Sequence, residues 1–415
     1  MTQSHMLEIT PRDPLVARDG RPFGAGQGNR MRSGDWLLPS VVAGSLRTLL
    51  GKQLGGSFDE AMVTALKATA VSGPFPMIDN KLFFPRPADA ILKDEKSQKK
   101  LLSIRPLNTA EQGAGCGCDL PHGLVPALLP GSEGDDFKPA QIPAFWRADR
   151  MAEWLADNTG MTASAQSFNA GDDFYLSTMP QEERTHVKIT PEAGAASDGE
   201  LFSTCALDFS RTVDDGVVRM ALRVEPASMF DAVVGKLDAL HPCGGERRLV
   251  SWKVRSKNDW TMPASLKAAF EKADREGHRR VRLVLATPGL FEDHSEERNG
   301  WKPGWLRETA QGFVGCPPGS SLTLRLVSAV VDRWRAISGW SLERGSVGPK
   351  PVRRMVPAGA TYFFEANNGE PLAEFTNDHW LQSVCDNEQD RRDGFGLALW
   401  GLWNEHSNGK GITTA

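Results

Sequence analysis

The chain alternates between two hydrophobic spacings, with glycine and charge between them. HMLEIT (5–10) mixes apolar and polar positions in a short run and is predicted as the first strand. LPSVVAGSLRTLLGKQLGG (38–56) sets Val41, Val42, Leu46, Leu49, Leu50 and Leu54 on one stripe, the spacing of a helix. Ser40 stands where its N-cap belongs, and Gly55 and Gly56 end it. Ser57-Phe-Asp-Glu60 has the capping-box pattern and opens a second helix, predicted to run to Ala70. Strand alternation then reappears in THVKIT (185–190) and LFSTCALDF (201–209), a hairpin around the polar tip PEAGAASDGE (191–200). VVRMALRV (217–224) and RRLVSWKVRS (247–256) are predicted strands, with a helix over PASMFDAVVGKLDAL (226–240) between them.

The second half repeats that order. RRVRLVLAT (279–287), SLTLRLVSAVVDRW (321–334) and PVRRMVPAGATYFFEA (351–366) read as strands. NDHWLQSVCDNEQD (377–390) reads as a helix, and GFGLALWGLW (394–403) as a glycine-rich turn into a last strand. Strand-helix-strand-strand-helix-strand is the order of a ferredoxin-like unit. The expected fold class is α+β: two ferredoxin-like (RRM-like) βαββαβ units with antiparallel sheets, over residues 1–258 and 259–415. A loop-rich insertion at about 71–183 interrupts the first. It holds KLFFPRPADAIL as a hairpin or edge strand, the charged run KDEKSQKK (93–100), loops at 111–123 and 128–139, and a helix in FWRADRMAEWLADNTG (145–160). Such sheets leave one face open, the face on which RNA-recognition modules hold single strands.

Composition narrows the function. A length of 415 residues suits two or three domains, and 40% apolar residues suffice for real cores. Lys plus Arg total 48 against 52 Asp plus Glu, a net charge of −4, so bulk charge does not carry the chain onto nucleic acid. A polyanion site must be local, in a groove or on a loop. The six cysteines at 116, 118, 205, 243, 316 and 385 read as scattered reduced thiols, and no segment reads as a signal peptide or a membrane span. The expected compartment is the cytoplasm.

Catalytic patterns are weak. GSLRTLLGK (44–52) lacks phosphate-loop spacing, has Gln53 where the hydroxyl belongs, and is itself an amphipathic helix. Gly394-Phe-Gly396 is either a tight turn or a place where backbone comes close to a phosphate or sugar. Cys116, Cys118 and His122 could form half a zinc site, but no second ligand pair has suitable spacing, so no metal is expected. His186, in ERTHVK, reads either as a packed histidine or as a general base for RNA cleavage. No Ser/His/Asp set and no paired carboxylates stand out, and no catalytic residue is assigned.

The basic residues say more. Residues 1–56 hold Arg12, Arg18, Arg21, Arg30, Arg32, Arg47 and Lys52 against Glu8, Asp13, Asp19 and Asp35. Further clusters are Arg247, Arg248, Lys253, Arg255 and Lys257, and then Lys350, Arg353 and Arg354. One such cluster alone is as readily a solvated face. Three, with Phe23, Trp252, Tyr362 and Phe363 interleaved, point to arginine on phosphate and aromatic under base, the needs of a single strand.

Five stretches also carry a resemblance: PRDPLVARDGRPFG (11–24), LPSVVAGSLRTLL (38–50), ERTHVKI with DGELFST (183–204), GPKPVRRMVPAGATYFFE (348–365) and RRDGFGLALWGLW (391–403). Together, in this order, they resemble the CRISPR-associated RAMP superfamily, and within it the Cas5-like subunit of type III-B (Cmr) effector complexes. The resemblance implies a double ferredoxin-like fold. It also implies a non-catalytic RNA-binding subunit that grips the repeat-derived 5′ handle of the crRNA. Its implied partners are the large polymerase/cyclase-type subunit and the backbone RAMP subunit, with target RNA met only indirectly. No membrane, metal or cofactor is expected. The expected RNA-binding set is Arg12, Arg18, Gly20, Arg21, Arg47, Arg184, His186, Arg353, Arg354, Gly394 and Gly396. Asp13 and Asp19 would orient the arginines, and the glycines at 20, 24, 26 and 28 would shape the loop. Two other readings are a RAMP-type endoribonuclease acting on guide RNA precursor through His186, and a scaffold whose arginines meet acidic protein surfaces.

Overall fold

The structure, a computed structural model, describes residues 3–18, 29–95, 98–107, 119–121, 123–129, 137–157, 173–210, 216–293, 298–341, 345, 347–367 and 369–404. Two antiparallel sheets organise it. At the centre of the first, His5–Pro11 pairs on one side with Arg219–Glu225 and on the other with Leu249–Arg255. Ala70–Ile78 pairs outside Arg219–Glu225, so these four strands lie in the chain order second, third, first, fourth. Leu7 and Ile9 are fully buried. Helix Pro39–Gln53 covers that face with Val42, Leu46, Leu49 and Leu50, the stripe expected from its spacing.

The second sheet has the same order. Arg280–Leu285 lies between Thr361–Ala366 and Ala398–Leu402, and Leu324–Val330 pairs outside Thr361–Ala366. Helix Ala264–Arg275 buries Leu266, Phe270 and Ala273. Its Asp274 carboxylate accepts from the backbone N–H groups of Leu372 and Ala373 at 2.8 and 2.9 Å, satisfying the open start of helix Leu372–Asp378.

Several sequence expectations are corrected. Ser40 is not the cap of the first helix: Pro39 already occupies its first turn and Leu38 precedes it without a side-chain bond. Asp59, not Ser57, caps the second helix, accepting from Met62 N at 2.9 Å, and that helix is Glu60–Ala68. Residues 226–240 form only a short turn and the helix Asp231–Val234, because Asp238–Pro242 is drawn into a hairpin with Leu249–Arg255. Residues 377–390 are likewise broken: helices Leu372–Asp378 and Glu388–Arg392 flank a bend at Leu381, whose φ is +55°. Residues 70–85, at the head of the expected insertion, supply Ala70–Ile78 and Lys81–Pro85 to the first sheet. Phe145–Arg147 and Tyr175–Leu176 extend the same edge. The predicted hairpin forms as Gln181–Thr190 and Ala195–Leu207, in a small sheet of its own with Asn29–Arg30.

One core runs through both sheets. Phe75, Phe84, Trp146 and Leu155 pack in the same cluster as Leu283, Phe364 and Trp400. Inside it, Arg282 is fully buried and donates to Asp89 at 2.6 Å and to the Trp154 carbonyl. Arg105 and Asp157 form a second buried pair there, and Asn404 donates to Asp157 at 2.6 Å. Buried charges such as these must be paired, and the Arg282–Asp89 pair joins a strand of the second sheet to the first half of the chain. No described helix is long and apolar enough to cross a membrane.

Candidate nucleic-acid interface

Between the two sheets lies a cleft of 1410 Å³. Its floor is largely proline and small residues, including Pro74, Pro76, Pro85, Ala88, Pro288 and Pro357. Gly359 makes that floor possible. Its φ is +87°, and a Cβ there would stand 2.3 Å from the Arg86 carbonyl oxygen, so only glycine lets segment 357–361 lie on segment 86–88. Arg18, Arg32, Arg86, Arg333 and Arg335 line the cleft, against Asp35 and Asp332. In an acidic chain this is a local positive field, drawn from both halves. Arg335 and Asp35 bridge the cleft at 2.9 Å; the pair is more than half exposed and adds little stability, but it fixes where two walls meet. Two tryptophans also line it. Trp36 donates to the Pro74 carbonyl at 2.9 Å and packs its ring on Phe145 and Phe209. Trp334 is half exposed.

The expected site residues do not gather in one place. Arg18 is exposed and lines the cleft. Gly20 and Arg21, with Asp19, Phe23 and the glycines at 24, 26 and 28, lie outside the described residues, as do Cys116, Cys118 and His122. Arg12 is exposed, and its backbone N–H donates to the Leu249 carbonyl. The Asp13 carboxylate accepts from Leu249 N at 2.8 Å, and its charge is, after that of Glu182, among those that raise the pKa of Arg184. Arg47 is a structural tie. It donates to the Thr69 carbonyl at 2.8 Å, to the Arg392 carbonyl at 3.1 Å and to Asp393, and its side chain is only 12% exposed. Arg184 is exposed on the hairpin beside Glu182. His186, on the same hairpin, shares a hydrogen bond with Thr204 Oγ1 at 2.9 Å and stacks on Phe202. Arg353 makes two bonds to Asp390, at 2.8 and 2.9 Å. Arg354 lies over the Trp334 ring.

The two late glycines do permit a close backbone approach, but to protein. Both are buried. A Cβ on Gly394 would stand 2.5 Å from the Val71 carbonyl oxygen, and one on Gly396 would stand 2.5 Å from Cys385 Sγ. Trp252, Tyr362 and Phe363 are fully buried, so none of them is a surface for a base. The cleft residues Arg86, Arg333, Trp334 and Arg335 are absent from the set expected from sequence. For Arg333, Trp334 and Arg335 the signal that could have found them is Asp-Arg-Trp-Arg at 332–335, an aromatic between two arginines, which the strand predicted over 321–334 largely absorbs. That strand ends at Val330, which leaves the tetrad on the cleft wall. Among the described residues, no group of three His, Cys, Asp or Glu side chains is arranged to hold a metal ion.

Two antiparallel sheets of one strand order, with an arginine-lined cleft between them, define a mixed α/β protein. The profile of the CRISPR-associated protein (Cas_Cmr3) family matches residues 7–403, and the chain belongs to that family. Similar solved structures include a cryo-EM structure of the Type III-B Cmr-beta bound to cognate target RNA and AMPPnP, with 13% identity, 86% of each chain covered and a TM-score of 0.45. Another is the crystal structure of the Csm3-Csm4 subcomplex in the type III-A CRISPR-Cas interference complex, with 9% identity, 88% of this chain and 93% of that chain covered, and a TM-score of 0.36. No curated protein matches the chain by sequence.

Proposed function

We propose that this chain is a non-catalytic, RNA-binding subunit of a type III-B CRISPR effector complex, acting in the cytoplasm. The cleft holds the 5′ repeat-derived handle of the crRNA. Surfaces outside the cleft dock the large polymerase/cyclase-type subunit onto the RAMP backbone. Each sheet, with its helices, is read as one ferredoxin-like unit, and the cleft is the seam between the two. The observation that carries the reading is the arginine lining drawn from both halves of a family member whose net charge is negative. A single strand laid along it meets guanidinium groups on both walls, the donors best shaped for phosphate. A cleaving role for His186 has less support, because its ring is held by Thr204 and Phe202 on a hairpin separate from the cleft.

The test is binding of the full chain to a labelled single-stranded RNA carrying the handle, followed by fluorescence anisotropy at several salt concentrations. Arg32→Ala/Arg333→Ala removes one arginine from each wall. Weaker binding is expected, with a log–log salt slope shallower by about 0.7 for each phosphate left without its arginine. Unchanged affinity and slope would move the RNA site out of the cleft.

A further inference from the structure

Trp334 is exposed to 50%, as Trp340 is to 62% and Trp301 to 39%, while Trp146, Trp252, Trp400 and Trp403 are at most 1% exposed; of the three exposed rings only Trp334 lines the cleft. Folding gains nothing from leaving so large a ring at the surface. The ring nonetheless has a cationic neighbour. The guanidinium carbon of Arg354 lies 5.0 Å from its centroid, on one face. Strand alternation explains how Arg354 gets there. Arg353–Met355 pairs with Arg335–Ile337, Ala336 opposite Arg354, so neighbouring side chains leave on opposite faces. Arg353 turns away to Asp390, and Arg354 turns to the ring. Arg335 anchors the base of this hairpin across the cleft through Asp35. The result is a half-exposed indole on the cleft wall, backed by one guanidinium and flanked in sequence by two more arginines.

We propose that Trp334 is a stacking platform for one unpaired nucleobase of the strand in the cleft. This rests on the reading of the cleft as the RNA site. The base lies on the ring face opposite Arg354, and Arg333, on the same cleft lining, meets a neighbouring phosphate. An aromatic ring backed by a guanidinium, in a cleft lined by further arginines, favours a polyanion that carries π-faces over an apolar protein surface. Every base has such a face, so the platform sets register and does not read sequence.

The experiment is an abasic scan. Full-length protein is titrated with a set of single-stranded RNAs, each carrying one abasic residue at a successive position. Wild type is expected to lose about tenfold in affinity at one position, within the range for a single base–aromatic stack. Trp334→Ala is expected to lose a similar factor on intact RNA and to show no sensitive position. Its salt slope should match wild type, since every arginine facing a phosphate is kept. Trp334→Phe, which keeps a π-face, should recover most of the affinity, and unchanged thermal unfolding of both variants shows that the fold is intact. The proposal is overturned if Trp334→Ala binds intact RNA like wild type, or if it keeps the sensitive position. If Arg32→Ala/Arg333→Ala weakens binding while Trp334→Ala does not, the platform falls and the cleft reading stands. If neither weakens it, both fall. A Trp334→Ala chain that binds RNA normally but fails to assemble with other effector subunits would assign the ring to a protein contact, which also overturns the proposal.

Discussion

Gly394→Ala separates two accounts of the glycine-rich loop. In one, the loop needs glycine to approach RNA; in the structure, it needs glycine to approach the strand Ala70–Ile78. Two costs add. Gly394 has φ +91°, and an L-residue held on that side of the map costs about 1–2 kcal/mol. The new Cβ would also stand 2.5 Å from the Val71 carbonyl oxygen, where ordinary contact begins at 3.4 Å, and a backbone oxygen cannot swing aside. Either the loop or the strand must shift, at an overpacking cost of about 1–3 kcal/mol. The expected loss is therefore about 2–5 kcal/mol, a large part of the typical net stability of about 5–15 kcal/mol. Gly55→Ala isolates the first cost, because Gly55 has φ +105° and nothing within 4 Å of its Cβ position. Urea unfolding of wild type and both variants, followed by tryptophan fluorescence, measures the difference. Under conditions where it stays folded, Gly394→Ala should bind RNA within about twofold of wild type, since it takes no cation away from the phosphates. Wild-type stability together with lost RNA affinity would refute the reasoning and return the loop to the RNA.

Three further outcomes are expected. Arg282→Met strands the buried Asp89 carboxylate and should cost about 3–5 kcal/mol, while the double variant Arg282→Met/Asp89→Leu should recover much of it; equal losses for single and double variants in urea unfolding would dissolve the pair. Burial pushes the thiols of Cys243 and Cys385 up to about 12, so peptide mapping after brief alkylation at pH 8 should find both protected while exposed Cys316 is labelled. Burial also lowers the pKa of His278, and burial with the nearby Lys52 lowers that of His241. Between those lowered values and the unfolded value of about 6.5, only the unfolded chain takes up the proton. Stability should be fullest above that value and fall as pH drops toward the lowered ones. His278→Gln should flatten part of the decline in urea midpoints between pH 7.5 and 5.5, and an undiminished decline would clear His278 of it.

Periodicity makes the largest part of the fold legible. Helix Pro39–Gln53 can be read because Val42, Leu46, Leu49 and Leu50 repeat at helical spacing, and that stripe is what lies on the sheet. His5–Pro11, Arg219–Glu225, Leu249–Arg255 and Arg280–Leu285 can be read as strands from short apolar runs. Segments where pairing competes with local propensity cannot. Asp238–Pro242 lies in a run that suits a helix, yet hydrogen bonds to Leu249–Arg255 take it into the sheet. Ala70–Ile78 carries Pro74 and Pro76, which make it look unlike a strand, but it pairs along only one edge at those positions and tolerates the missing donors.

The residues themselves pointed to one strand order used twice, which the two sheets share, and determined that any polyanion site must be local. Local spacing and charge are properties of neighbours along the chain, so they can be read there. What each side chain faces was decided only by the tertiary structure. Trp252 and Trp334 each stand beside basic residues in sequence, yet one is sealed in the core and the other lies half open on the cleft wall. Arg47 and Arg353 carry the charge of RNA ligands, but Asp393 and Asp390, more than 300 and more than 30 residues away respectively, claim them. Arg47 and Asp393 meet only through the packing of the two halves, while Arg353 and Asp390 are brought together by the folding of the second half alone.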